Sequence, residues 1–202
     1  MISLQITEPA IQNVGLLSAI PIRTNRLIIR EFQLGDAKEL FSLHRDAKAT
    51  RYAGGTRTQE ESLQSLYRII SRVRQTGFGA FALELPDDGD LIGWAGVQKM
   101  IDSDRYEIIY ALKPDYWGQG LATEAGQALL DASFESRQLT EIFALVFPQN
   151  IGSIRVLEKL GLSFVDYSFD QITQRHACLY RISKGKFQRS KASRVSQSSS
   201  KK

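Results

Sequence analysis

Two kinds of apolar periodicity alternate along this chain, and their order predicts a mixed fold of strands and helices. Arg26-Leu27-Ile28-Ile29-Arg30-Glu31-Phe32 carries the β-branched run of a strand, which Gly35-Asp36 breaks. Asp36 is a good N-cap for a helix over 37–44, where Ala37, Leu40, Phe41 and Leu43 recur at helical spacing. A longer stripe, Leu63, Leu66, Tyr67, Ile70 and Val73, predicts a helix over 59–75. Runs at 77–85 and 91–97 flank the turn Pro86-Asp87-Asp88-Gly89-Asp90 and read as a hairpin. Asp102-Ser103-Asp104 then turns the chain into a third strand, 106–112, which Pro114 ends.

Beyond that strand the pattern changes. Two glycines one residue apart, Gly118 and Gly120, precede a helix predicted over 121–137, and Ile142-Phe143-Ala144-Leu145-Val146-Phe147 reads as a buried strand parallel to 106–112. Asn150 caps a further helix with apolar Ile151, Ile154, Leu157 and Leu160, and Gly161 supplies its stop. Strands over 162–169 and 175–182 close the domain. Residues 1–21 are poorly patterned and read as an arm, 22–183 as one α/β domain, and 184–202 as a basic, Ser-rich disordered tail.

Composition refines this picture. The 202 residues are 43% hydrophobic, enough for one sizeable core. A net charge of +4 suggests a nucleic-acid binder until the charges are located. Eight of the 26 Lys and Arg lie from Arg181 onward without any Asp or Glu, so the body carries 18 basic against 22 acidic residues, a net of −4. The tail reads either as a solubilising segment or as a weak contact for RNA or another polyanion. One cysteine, Cys178, excludes an internal disulfide and points to a reducing compartment, with a small buried apolar role for the thiol. No apolar run approaches the roughly 20 residues of a membrane span, and no Lys or Arg precedes the short stretch 15–20, so a soluble cytoplasmic protein is expected.

The glycine pair is where chemistry is sought. Glycine turns the chain through positive φ and lets a ligand approach the backbone, and the following helix presents unpaired N–H groups to an anion. The third glycine and ribose-binding acid of a dinucleotide fingerprint are missing, as is the Gly-Lys-Ser/Thr ending of a P-loop. His44 and His176 form no readable pair, and nothing in the pattern suggests a metal site.

Three segments together narrow the phosphate site. The strand 106–112, the loop Trp117-Gly118-Gln119-Gly120-Leu121-Ala122-Thr123-Glu124-Ala125, and Asn150-x-x-Ser153-x-x-Val156-Leu157-Glu158-Lys159-Leu160-Gly161 resemble the GNAT acetyltransferase superfamily. With Thr24-Asn25-Arg26-Leu27-Ile28-Ile29-Arg30, the nearest likeness is to its RimJ/RimL-type branch, over residues 22–183. The resemblance implies a twisted, mostly antiparallel sheet of about six to seven strands flanked by about four helices, with two splayed central parallel strands.

It also implies an acetyl-CoA site in that splay, with no metal. The main chain of Ala111 and Leu112 would bond the pantetheine arm, the loop amides of Gly118, Gln119, Gly120, Leu121 and Ala122 would meet the pyrophosphate, and Thr123 would also lie at the cofactor. Trp117 and Tyr116 would pack on the donor or anchor the loop. Asn150 would reach the pantetheine amide, although an N-cap asparagine needs no ligand to justify it. Ser153 would face the thioester and support the departing thiolate. The reaction implied is direct attack of a neutral amine on the acetyl carbonyl. An α-amine near pKa 8 is roughly 10% neutral at pH 7, and a free lysine near 10.4 far below 1%, so a protein N-terminus needs less help than a lysine. Glu107, in a mostly apolar strand, is the candidate base, the alternative being an ordinary cross-strand carboxylate.

The chain departs from the family at three places. Asp115 stands where the loop often starts with Gln or Arg, Leu157 where many members carry a general-acid tyrosine, and Ile109 where the branch has a glycine. Acetyl transfer to a primary amine, on a protein N-terminus or a small molecule, is the leading expectation. A CoA-binding sensor without turnover and a ribosome- or RNA-associated protein acting through its tail are the alternatives. A monomer and a homodimer fit equally.

Overall fold

The computed structural model describes residues 15–101, 103–135, 139–170 and 173–199. Expectations for the arm before residue 15, for Asp102, and for the helix end at 136–137 lie outside the described residues. In chain order the elements are β1 (Ile22–Arg23), β2 (Ile28–Arg30), α1 (Ala37–His44), α2 (Ala47–Thr50), α3 (Gln59–Thr76), β3 (Gly79–Glu84), β4 (Leu91–Lys99), β5 (Tyr106–Leu112), α4 (Leu121–Glu135), β6 (Glu141–Val146), α5 (Ile151–Leu160), β7 (Ser163–Asp170), β8 (Arg175–Ser183) and α6 (Lys184–Ser199).

Local chemistry accounts for the helix ends. Thr58 and Glu61 form a reciprocal capping box at the start of α3, Thr58 Oγ1 accepting from the Glu61 N–H and Glu61 from the Thr58 N–H. Asn150 Oδ1 accepts from the Ser153 N–H at the start of α5. The strands form one sheet in the order β1-β2-β3-β4-β5-β6-β8-β7, antiparallel at every junction except β5 with β6.

Alternation along the strands puts a core on each face. Ala80 and Ala82 of β3 pack with Leu40 of α1 and Leu66 of α3. Phe81 and Leu83 belong to a larger cluster with Ile108 and Leu112 of β5, Leu129 and Leu130 of α4, and Leu157 and Leu160 of α5. Helices α1 and α3 therefore cover one face, and α4 and α5 the other. Cys178 is a free, buried thiol in the larger cluster, as expected.

The mixed, largely antiparallel fold agrees with the sequence, and the counts are corrected. The sheet has eight strands among the described residues because Ile22–Arg23 pairs with β2 through Ile22 with Ile29 and Arg23 with Ile28. Among the described residues six α-helices replace about four. The single turn α2 is nucleated by Asp46, whose carboxylate accepts from the Lys48 and Ala49 N–H groups. Residues 184–199 of the segment expected to be a disordered tail instead form α6, and 200–202 lie outside the described residues. Phe187 is buried on Phe134, ring centroids 5.3 Å apart. Lys184 reaches the Phe134 carbonyl, and Lys191 pairs with Asp131 of α4. Among the described residues no helix is long and apolar enough to cross a membrane.

Candidate active site

After β5, a short 3₁₀ turn (Pro114–Tyr116) leads into Gly118 at φ +74 and Gly120 at φ +81. A Cβ on Gly118 would meet nothing within 4 Å, and on Gly120 only Arg26 Nη2 at 3.7 Å. Glycine is thus demanded by the backbone turn and not by crowding from protein atoms. The Glu124 N–H donates to the Gly120 carbonyl at 3.0 Å and starts α4. Among the described residues, the N–H groups of 118–123 meet no protein acceptor, which leaves a run of donors at a helix start.

A clamp from the chain's beginning holds this loop. Arg26 Nη1 donates to the Gln119 carbonyl at 2.9 Å, while Arg26 Nε and main-chain N–H donate to the Glu124 carboxylate at 2.8 and 2.9 Å. Thr24 Oγ1 donates to the same carboxylate at 2.6 Å. Burial works to raise the Glu124 pKa, but the donors from Thr24 and Arg26 outweigh it and hold the group below the usual carboxylate range. Gln119 Nε2 turns back to the Asp115 carbonyl at 2.9 Å, so Asp115 serves the loop through its main chain.

Strands β5 and β6 pair only through Glu107 with Phe143 and then part. The Lys113 N–H donates to the Ile92 carbonyl on β4 at 2.8 Å. Residues alternate in an antiparallel ladder, so Ala111 also directs its main-chain groups to β4, while Tyr110 and Leu112 turn theirs to the gap. The Ala111 carbonyl accordingly lies 2.2 Å from where a Cβ on Gly93 would stand. Of the pair Ala111 and Leu112, only Leu112 faces the gap, and its carbonyl accepts from Trp117 Nε1 at 2.8 Å. Trp117 is half exposed and anchors the loop to the strand end.

The gap is spanned by a pair that sequence reasoning missed. Tyr110 Oη lies 2.7 Å from Ser153 Oγ and 3.2 Å from the Ser153 carbonyl. Burial pushes the phenol up to about 12 against the opposing effect of the Ser153 hydrogen bond. Leu157, one turn further along α5, is buried in the core at 1% exposure. Asn150 stands at the same helix start, its Oδ1 engaged as the cap.

Glu107 lies on the other face of β5. Gln98 Nε2 donates to its Oε1 at 3.0 Å, and Arg72 Nη1 of α3 donates to Gln98 Oε1 at 3.1 Å. Burial raises the Glu107 pKa above the ordinary value, the Gln98 hydrogen bond opposing it, the charge of Asp170 adding to the rise and Arg72 countering it. Ser153 and Glu107 therefore lie on opposite faces of the sheet, the α5 side and the α3 side, with Glu107 at the position where β5 and β6 still pair.

The segment after α1 reaches the same opening. Tyr52 Oη donates to the Gln149 carbonyl at 3.2 Å, and its ring packs on Phe147 with centroids 6.0 Å apart. His44, buried at 4% exposure, fixes the base of this segment between Ser62 at 2.9 Å and Arg57 at 3.1 Å. Arg57 donates to Nε2, so Nδ1 carries the proton and donates to Ser62. His176 is exposed and stacks edge-on against Phe169. Two surface depressions, of about 350 and 540 Å³, lie elsewhere, beside Phe164 and Lys186 and beside Leu34 and Tyr67, and hold none of the predicted site residues. Among the described residues no group of three or more His, Cys, Asp or Glu is placed to hold a metal ion. Thr24 and Arg26 were legible as motif residues, whereas the Tyr110 contact joins residues 43 apart in the chain and left no local signal.

Residues 26–163 match the family described as acetyltransferase (GNAT) domain. The uncharacterized N-acetyltransferase YnaD of Bacillus subtilis (strain 168) is 32% identical over 142 residues, covering 70% of this chain and 81% of that protein. The crystal structure of an acetyltransferase (GNAT family) from Bacillus anthracis shares 26% identity at a TM-score of 0.70, covering 80% of this chain and 97% of that one. Mycobacterium smegmatis RimJ, in complex with CoA-disulfide, shares the fold with a TM-score of 0.65 at 20% identity, over 79% of this chain and 82% of that chain. The match takes in Arg26 and Glu124 of the clamp, the glycine loop, the splayed strands and the start of α5, so the chain belongs to the GNAT acetyltransferase family and is an acetyltransferase.

Proposed function

We propose that the chain transfers acetyl from acetyl-CoA to a primary amine, on a protein N-terminus or a small molecule, by direct attack with both substrates bound. The observation that carries this reading is the parting of β5 and β6 beside a run of loop amides without protein acceptors. Residues 118–123 would hold the pyrophosphate, and the main chain of Leu112 and Tyr110 the pantetheine arm as an added strand edge. The RimJ structure with CoA-disulfide supports the ligand class, and the Thr24 to Arg30 strand supports the RimJ/RimL-type branch.

Acetyl-CoA supplies an acyl thioester already activated toward amines. The residues of this chain supply position and proton handling. Glu107, with its pKa raised by burial, is matched to accept the proton of the attacking amine directly or through water. Its place on the α3 face means that the amine enters from the side opposite α5. Ser153 stands on the α5 side at the thioester end, with Asn150 fixing the helix start.

An acetyl-CoA consumption assay over a library of amines, including peptides starting with Ala and Ser, tests the reading alongside thermal shift. Turnover of at least one amine class with acetyl-CoA-dependent stabilisation is expected. Stabilisation without turnover of any amine points to a sensor instead.

A further inference from the structure

We propose that Tyr110 is a positioning residue that aims Ser153 Oγ–H at the departing sulfur, so that two hydroxyls support loss of a thiolate without a general acid. The inference rests on the acetyl-CoA reading above. Leu157 is apolar and packed in the core, so the position at which many GNAT members carry a tyrosine offers no donor here. Tyr110 reaches the same end of the gap from the opposite wall. It lies three residues beyond the last paired position of β5, Glu107, on the strand side from which β6 departs. Its side chain crosses to the first turn of α5, where both Ser153 oxygens are within reach. The phenol proton is assigned to Ser153 Oγ, the shorter of the two contacts at 2.7 against 3.2 Å, which leaves the serine's own proton to point along the gap.

The order of acidities decides what the pair does. Burial pushes the phenol up to about 12, well above a free thiol near 8.5, so it keeps its proton while the sulfur is released. It acts by hydrogen bonding and not by proton transfer. The step balances without an added acid. The amine nitrogen forms the C–N bond, the C–S bond breaks with its electron pair passing to sulfur, and the proton shed by nitrogen goes to Glu107 and on to solvent. Ser153 Oγ–H donates to the sulfur as charge gathers there, and Tyr110 holds that hydroxyl in line.

Titration of coenzyme A bound to the full-length protein, followed by thiolate ultraviolet absorbance, reads the pair independently of turnover. The bound thiol of the wild type is expected to titrate below about 8.5, and Tyr110→Phe and Ser153→Ala each to raise it by about one unit, a tenfold change in the equilibrium. In turnover, Tyr110→Phe should lower kcat about tenfold with KM for acetyl-CoA held within about twofold and the shape of the pH profile kept. An unchanged thiol titration in Tyr110→Phe with full coenzyme A affinity overturns the proposal, as does an affinity loss that accounts for the whole defect. If Tyr110→Phe does not fold by circular dichroism, an unshifted thiol in Ser153→Ala overturns it equally. A wild type that binds no coenzyme A by calorimetry brings down the acetyl-CoA reading, and this proposal with it.

Discussion

At the scale of single residues, the glycine loop and the buried carboxylate behave differently under substitution. Gly120 sits at φ +81 with only Arg26 Nη2 within 4 Å of where its Cβ would stand, so Gly120→Glu strains the loop backbone but leaves the core untouched, and it places a like charge among the amides proposed to hold the pyrophosphate. We expect a folded protein with acetyl-CoA affinity reduced at least about tenfold, read by calorimetry; retained affinity in the folded variant sinks the pyrophosphate assignment. For Glu107 the sign follows from its raised pKa. A carboxyl raised in the folded state adds stability below its ordinary pKa, and that contribution is lost as pH rises through the folded value. In its ionised form it weighs against the fold, yet only that form accepts a proton. Glu107→Gln should therefore raise Tm at pH 7 while lowering kcat by about 100-fold and flattening the acid limb of the pH profile. A variant with an unchanged acid limb removes Glu107 from the base role.

At the scale of elements, most boundaries were readable from period and caps, and the exceptions have physical causes. The Thr58-Glu61 box, the Asn150 cap and the alternation in β3 through β5 are local signals, so α3, α5 and those strands appear where the pattern puts them. Strand β1 is only two residues long and owes its existence to pairing with β2, which no window of sequence displays. Helix α6 is polar almost throughout, and its one anchoring ring, Phe187, finds Phe134 of α4 only in three dimensions. Phe187→Ala should cost roughly 2 to 3 kcal/mol in chemical denaturation, the low end for a buried ring because the site lies at the margin of the core. Acetyl-CoA affinity should stay the same. Unchanged stability in this variant and in a truncation after Ser183 would mean that the segment does not dock.

For the whole molecule, the segment between α1 and α3 ties acid stability to the opening of the site. His44 is buried and neutral, its pKa depressed to about 4 by burial first and by the charge of Arg57 second. Depression means that the unfolded chain takes up the proton first, so this stabilisation is complete above about 6.5 and declines as pH falls toward about 4. The loss should be on the order of 2 kcal/mol after allowance for screening, seen as a Tm that falls between pH 6.5 and 4 in the wild type. His44→Gln should be less stable at pH 7 and show a shallower fall over the same interval. Equal slopes in the two proteins discard His44 as the cause.

The amino-acid sequence by itself determined the periodicities, the caps and the glycine loop, because each depends on residues a few positions apart. It also carried the resemblance that names the donor, through motifs that are each local in the chain. Tertiary structure alone decided which main-chain groups of β5 face the gap, since the register with β4 sends Ala111 one way and Leu112 the other. It decided that Arg26 and Glu124, 98 residues apart, lock the loop that the glycines permit. And it decided that Ser153 has a phenol for a partner, because only the parting of β5 from β6 brings Tyr110 and the start of α5 to opposite sides of one narrow opening.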